Sequence, residues 1–233
     1  MGVRWRARGW AARLRRGALW LVGGFVLLSV AWVLLYAIVP PPVTPLMLIR
    51  ALGGAGIHRS WVPAAAIDPD AFRAVMAGED NLFCEHHGFD WQAVRQAWQR
   101  NQRGGRIYGG STITMQTAKN LFLWPGRSLV RKGFEAYFTV LLELFLTKRR
   151  ILVLYLNTVE WGGGVYGIEA ASETQFHKSA AALSQHEAAL LAAVLPNPRR
   201  WSPARPTAYI AHRAAVIAER MVQMPGKPGD PCG

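Results

Sequence analysis

The sequence predicts a mainly α-helical domain behind one N-terminal membrane helix. Three observations carry that reading. Residues 17–39, GALWLVGGFVLLSVAWVLLYAIV, hold no charged side chain, and a bilayer-spanning helix needs about 20 apolar residues. Downstream, helix-cap signatures recur, each followed by apolar residues three and four apart. Strand alternation is scarce, and no internal repeat is evident.

The chain has 233 residues and a formal charge of +13, room for one globular domain and a short extra element. Six charges are Arg4, Arg6, Arg8, Arg13, Arg15 and Arg16, directly before the apolar run. The positive-inside rule keeps such a cluster in the cytoplasm. A signal peptide would have a shorter apolar core, about 7–15 residues, and a small-residue cleavage site. This run ends in Val39-Pro40-Pro41-Pro42, so an uncleaved anchor is expected. The expected layout is a basic tail at 1–16, an anchor at 17–39, a linker and membrane-proximal segment at 40–65, a domain at 66–225 and a flexible tail at 226–233. Taking the six arginines from +13 leaves +7 beyond the anchor. That suits anionic headgroups or polyanionic ligands. Nucleic acid is a poor fit, because the anchor puts this surface outside the cell.

Pro40 to Pro45 reads as a stiff exit linker, and Met47 to Ile57, apolar and glycine-broken, as a membrane-surface segment. Asp68-Pro69-Asp70 starts a helix. Phe72, Val75, Met76 and Glu79 fall at helical spacing with Phe83, which places Glu79 on an apolar face near that helix's end. Burial there would raise its pKa and suit a general base; the plainer alternative is a solvated helix-end Glu. Trp91 to Asn101 reads as a helix with Val94, Ala97 and Trp98 on one side. Gln102 to Gly110, with four glycines and two arginines, reads as a mobile loop or lid. Ser111 or Thr112 caps a helix to about Leu121, whose free N–H groups would form a phosphate site. Gln116 and Lys119 share a face of it.

Ser128 caps the next helix, Leu129 to about Leu146, with Phe134, Phe138, Leu141, Leu142 and Phe145 as its core face. Arg131 and Glu135 on it are either a surface ion pair or a device that aims Arg131 or Lys132 at an anion. Ile151 to Asn157 reads as a buried helix. Gly162, Gly163, Gly164 and Gly167 make a tight loop before a helix over Ile168–Phe176. Ser184 and Glu187 form a capping signature for a helix to Leu195, stopped by Pro196-Asn197-Pro198. A last amphipathic helix spans about Thr207 to Met224.

Charge is distributed unevenly across these helices. An acidic cluster runs from Glu79 to Asp90. From Trp91 to Phe134 there is no Asp or Glu, but there are eight cations: Arg95, Arg100, Arg103, Arg106, Lys119, Arg127, Arg131 and Lys132. Glu135 closes the gap. Carboxylates flanking a cationic, glycine- and hydroxyl-rich segment predict acid/base chemistry beside a bound anion, above all a phosphate. Cys84 and Cys232 lie far apart, and no disulfide is predicted. No Cys/His cluster has zinc spacing. His86, His87, His177 and His186 read as packed or capping residues.

Four ordered motifs carry a resemblance. Glu79, Asp80, Phe83, His86 and Gly88 match Glu-Asp-x-x-Phe-x-x-His-x-Gly. Gly109 to Thr114 and Gln116 match Gly-Gly-Ser-Thr-Ile-Thr-Gln-Gln, with Met115 in place of the first Gln. Arg131, Lys132 and Glu135 match Arg-Lys-x-x-Glu. Lys148, Ile151, Leu152, Tyr155, Leu156 and Asn157 match Lys-x-x-Ile-Leu-x-x-Tyr-Leu-Asn, followed by Gly162 and Gly167. In these segments, residues 66 to 224 resemble the peptidoglycan glycosyltransferases of glycosyltransferase family 51. One anchor and no transpeptidase domain resemble its monofunctional biosynthetic branch.

The resemblance implies a lysozyme-like fold, with a helical main lobe and a smaller membrane-proximal lobe. It implies polymerisation of lipid II into β-1,4-linked glycan strands, with inversion and release of undecaprenyl diphosphate. Glu79 would deprotonate the acceptor 4-hydroxyl. Lys119, Arg127 and Gln116 would hold the diphosphate, and Glu135 would support that site directly, through Arg131, or through a divalent cation, Mg or Mn, bridging the diphosphate. Ser111 and Thr112 would line the donor pocket. Asp80, Phe83, His86, Gly110, Arg131, Lys132, Lys148 and Asn157 carry over as substrate-binding residues. The implied partners are lipid II, the nascent strand, membrane lipids and other cell-wall synthases. The implied location is a bacterial inner membrane with the domain in the periplasm. A lytic hydrolase of similar fold is the main rival, but it has no use for so many cations beside the Glu. A non-enzymatic cell-wall scaffold is the second.

Overall fold

The computed structural model describes residues 4–102, 109–126, 128–224 and 231–232, with side chains from residue 10 onward. It divides into two compact units, residues 1–39 and 40–233. The first is one helix, α1 (Arg4–Ile38). Its stretch Trp10–Ile38 is long and apolar enough to cross a membrane, and the helix already begins within the arginine cluster.

The second unit begins earlier than residue 66. Residues 40–65, expected as a linker and membrane-proximal segment, hold regular structure. Thr44 caps α2 (Pro45–Leu52) by accepting from the Met47 amide at 3.3 Å, and β1 (His58–Arg59) follows. Arg59 donates to the carbonyls of Pro41 at 2.5 Å and Pro42 at 2.8 Å. The prolines have no N–H to offer each other, so a side chain from the folded domain ties them down.

The remaining helices are α3 (Pro69–Glu79), α4 (Trp91–Gln102), α5 (Ile113–Phe122), α6 (Leu129–Phe145), α7 (Lys148–Thr158), α8 (Ile168–Phe176), α9 (Gln185–Val194) and α10 (Ala208–Met221). Side-chain oxygens accept a first-turn N–H at Asp68, Thr112, Ser128, Ser184 and Thr207, each satisfying a donor the helix itself leaves free. Ser184 and Glu187 complete the capping box.

α9 packs on α3 and α10, and α5 packs on α6 and α7. The α3–α9–α10 contact is built from small residues: Ala74, Ala77, Ala188, Ala189, Ala192, Ala193 and Ala214 are buried there with Ile210 and Ile217. Small side chains let helix backbones approach closely, and that pulls the end of α3 against α9. On α6, Phe138, Leu141 and Leu142 are buried, and Phe138 stacks on Phe122 at 4.4 Å. Phe134 and Phe145, expected in the same core face, stay partly exposed because α5 covers only one strip of α6.

A three-stranded sheet, unseen in the sequence, joins β1 in parallel to β3 (Val165–Tyr166), which pairs antiparallel with β2 (Glu160–Gly162). Gly164 turns between β2 and β3 at φ +76°, and a Cβ there would lie 1.9 Å from the Ala55 carbonyl oxygen. Only glycine fits.

The structure also overturns the reading of the cysteines. Cys84 and Cys232 form a disulfide across 148 residues of sequence, with Cα atoms 5.4 Å apart. The chain end, expected as a free tail, is carried back onto the loop after α3. Sequence separation says nothing about that proximity.

Candidate active site

Glu79 is the last residue of α3. Its carboxylate accepts a hydrogen bond from Gln116 Nε2 at 2.9 Å, and Arg213 Nη2 of α10 lies 3.6 Å from its other oxygen. Tyr155 donates to Gln116 Oε1 at 3.3 Å, which orients the amide so that its nitrogen faces Glu79. Burial pushes the Glu79 pKa above the ordinary 4.5, against the opposing pulls of the Gln116 hydrogen bond, Arg213 and Lys119. The same burial, with the charges of Glu79 and Asp80, pushes the Tyr155 hydroxyl far above 10.0, so it remains a donor. Arg213 is held in turn by the carbonyls of Ala193 at 3.2 Å and Gly78 at 3.3 Å.

Gln116 opens onto a cleft of about 690 Å³. Its walls include Ser111, Lys119, Asn120, Arg131, Lys132 and Glu135 from α5 and α6 and the turn before them, Arg50 of α2, and Asn197 and Arg199 after α9. Glu135 lies on a buried side of α6, its side chain 3% exposed. One oxygen takes Arg131 Nη1 and the other takes Lys132 Nζ. The Arg131–Glu135 pair is therefore buried, which excludes the surface-pair reading. Arg131 Nε also donates to the Gly126 carbonyl at 2.9 Å, and Lys132 Nζ to Ser111 Oγ at 3.1 Å. Burial lowers the Lys119 pKa from 10.5; Arg131 and Lys132 add to this, while Glu135 and Glu79 oppose it. Chemically, the arrangement joins a desolvated carboxylate, a proton acceptor, to a wall of cations suited to a polyanion.

Several residues expected on substrate serve the scaffold in this structure. Asp80 accepts from the Ile113 amide at 2.9 Å and meets His86 Nε2 at 2.9 Å. Thr112 donates to the Gly88 carbonyl at 2.7 Å and accepts from the Met115 amide at 3.2 Å. At the start of α5 the Ile113 and Met115 amides are thus taken by side chains of the protein itself. The negative Asp80 carboxylate already occupies the favourable place at the helix N-terminus. Phe83 is buried, with Lys148 Nζ 4.5 Å from its ring centroid. That ammonium also donates to the His86 carbonyl at 2.6 Å and to Glu143 at 2.8 Å. Asn157 binds both the amide and the carbonyl of Val62, at 2.9 and 3.1 Å. Gly110 is needed for space, since a Cβ would meet the Val94 backbone at 3.0 Å. Arg127 and residues 103–108 of the expected lid lie outside the described residues.

With this geometry the comparisons with known proteins become decisive. A family model described as Transglycosylase matches residues 47–222. The chain belongs to the transglycosylase family. A biosynthetic peptidoglycan transglycosylase of Rhodospirillum centenum is 57% identical over 210 residues, 90% of this chain and 91% of that protein. One of Caulobacter vibrioides is 52% identical over 187 residues, 80% of this chain and 82% of that protein. One of Pseudomonas fluorescens SBW25 is 51% identical over 212 residues, 88% of each. The helical domain is the lysozyme-like transglycosylase domain, and the match starts inside α2, in the segment read from the sequence as membrane-proximal.

Sequence reasoning missed Arg213 and the role of Tyr155. Tyr155 sat in a recognised motif, two residues before Asn157, but an apolar run gives no sign of where a hydroxyl points. Arg213 did carry a signal, for it stands three residues after Ile210 and four before Ile217, a cation at helical spacing with the buried face of α10. Arg50, Asn120 and Arg199, which also line the cleft, were missed as well.

Proposed function

We propose that this transglycosylase polymerises lipid II by inverting displacement, with Glu79 as general base and the α5–α6 cations as the diphosphate site. The observation that carries the reading is the buried Glu79 carboxylate, held by Gln116 and Arg213 at the edge of the cationic cleft. The acceptor 4-hydroxyl gives its proton to Glu79 as its oxygen bonds to the donor's anomeric carbon. The bond from that carbon to the diphosphate breaks, and the electron pair leaves with the phosphate oxygen. Lys119, Arg131 and Lys132 take up that charge. Glu79 then releases its proton to water. Glu135 acts through the two cations it binds, setting their direction.

Among the described residues, no group of three or more His, Cys, Asp or Glu is placed to hold a metal. Both oxygens of Glu135 are already taken by cations. These residues alone would not hold a resident divalent ion; an Mg or Mn ion brought by the diphosphate would share the leaving group's charge with the lysines and arginines.

The Arg-rich N-terminus favours a cytoplasmic tail. The disulfide favours an oxidising compartment for the domain, which in a bacterium with two membranes is the periplasm. Exposed apolar residues Leu48, Ile49 and Leu52 of α2, and Leu129 and Val130 of α6, suit contact with lipid.

Detergent-solubilised protein given labelled lipid II should yield long, lysozyme-digestible strands. The Glu79→Gln protein should bind lipid II and lose about 10²–10⁴-fold in rate, the usual worth of a general base. Cleavage of added glycan without polymerisation would establish the hydrolase instead, and wild-type turnover by Glu79→Gln would remove the base.

A further inference from the structure

We infer that the Cys84–Cys232 disulfide is a positioning staple for the catalytic base, so that the thiol–disulfide state of the chain end sets the polymerisation rate. This rests on the functional reading above. Cys84 lies five residues after Glu79, in the loop that joins α3 to α4. That loop is folded on itself by short turns, with the Phe83 amide bonded to the Asp80 carbonyl at 3.1 Å and the Glu85 amide to the Leu82 carbonyl at 2.9 Å. From inside, Asp80 and the buried Phe83 fix it to α5 and the core. From outside, the next residue is bonded covalently to Cys232.

The staple touches the base's helix directly. Cys84 Sγ lies 3.9 Å from Sδ of Met76, which is buried one helical turn before Glu79. Asp80, next to Glu79, is the group that seats the start of α5, the helix that brings Gln116 onto Glu79. Displacing the loop therefore moves both Glu79 and the amide that holds it. Cys84 and Cys232 are each only partly buried, so an incoming thiolate can reach a sulfur.

Opening the staple is a two-electron reduction by a dithiol. One donor thiolate attacks a sulfur of the pair, forms a mixed disulfide and expels the other cysteine as thiolate. The donor's second thiolate then releases the first cysteine, leaving Cys84 and Cys232 as two thiols and the donor as a disulfide. Formation is the reverse, driven by an oxidised dithiol carrier outside the membrane.

The test uses the full-length detergent-solubilised protein, with dithiothreitol as donor and lipid II as substrate, and counts free thiols in parallel. With two thiols exposed, kcat should fall roughly ten-fold, within the range an ångström-scale misplacement costs. KM should change less than kcat, since Arg131 and Lys132 of the cation wall stand on α6 and not on the displaced loop or α5. Oxidised glutathione should restore wild type. Cys232→Ser should sit at the reduced rate with or without dithiothreitol. An unchanged kcat in fully reduced protein, or an equal dithiothreitol effect on Cys232→Ser, overturns the inference. Hydrogen exchange of the 82–86 amides gives a readout independent of activity. Protection should drop on reduction, and unchanged protection overturns the staple. Oxidised wild type that makes no polymer but loses this protection on reduction would count against the functional reading alone.

Discussion

The α3–α9–α10 platform and the α5–α6 wall face each other across the site with opposite chemistry, and opposite forces hold them. The platform is apolar and alanine-rich. It presents one carboxylate, Glu79, with a single cation, Arg213, at 3.6 Å. The wall presents Lys119, Arg131 and Lys132, and its one buried acid is consumed in fixing two of them. Close packing on one side desolvates the base and raises its pKa. Ion pairs and caps on the other side keep like charges together before a substrate arrives. A base must be poised to accept a proton, so it gains from a dry setting. A diphosphate cradle must be charged in advance, so it gains from preorganised cations. Neither side could be built with the other's materials.

After loss of the base itself, disabling the wall should have the largest effect. Lys119→Ala should weaken lipid II binding and lower kcat/KM by about 10²–10³-fold, the order seen when one preorganised charge stabiliser is removed. Titration of lipid II against the mutant checks it, and unchanged affinity would free Lys119 from the diphosphate. Next comes the internal tie of the wall. Glu135→Gln leaves Arg131 buried without its counter-charge, which should destabilise the domain by about 3 kcal/mol, read as a lower denaturation midpoint. A surface-type loss of a few tenths would mean that the pair opens to water.

The smallest effect tests the platform. The rate should rise with pH as Glu79 loses its proton, with a midpoint above the ordinary 4.5, and fall again as Lys119 loses its proton, with a midpoint below 10.5. The profile of kcat/KM reports these free-enzyme groups. Arg213 holds the Glu79 pKa down, so Arg213→Ala should move the acid limb to higher pH and lower the rate at neutral pH by about ten-fold or less. A limb that stays in place would show that burial alone sets the base. The linked stability runs the other way. A carboxyl whose folded pKa is raised stabilises the fold at low pH, and that contribution is lost as pH rises through the folded pKa.

Local signals were the most legible in this chain. Caps at Asp68, Thr112, Ser128 and Ser184, and the apolar periods along the chain, placed most helices, because a helix start is decided within about four residues. The long apolar helix that fits an anchor was legible because length and hydropathy alone mark it. The sheet was not, since strands of two and three residues show no alternation. Within the site, the motifs pointed to Glu79, Lys119, Arg131, Lys132 and Glu135, and the fold brings all but Glu79 to the cleft wall and joins Glu79 to it through Gln116. The same motifs could not separate these from Asp80, Lys148 and Asn157, whose side chains are bonded within the protein, or from His86, whose Nε2 meets Asp80 while its buried Nδ1 has no partner within the described residues.

By itself the sequence determined the long apolar N-terminal helix, most of the other helices and the residue types of the candidate site, because hydropathy, capping and charge type are properties of neighbouring residues. Tertiary structure decided which polar groups face the cleft and which are spent inside. It also decided that Arg213 reaches Glu79 and that Cys232 reaches Cys84. Each of these is a distance between residues more than a hundred positions apart, and such distances exist only once α3, α9 and α10 have packed.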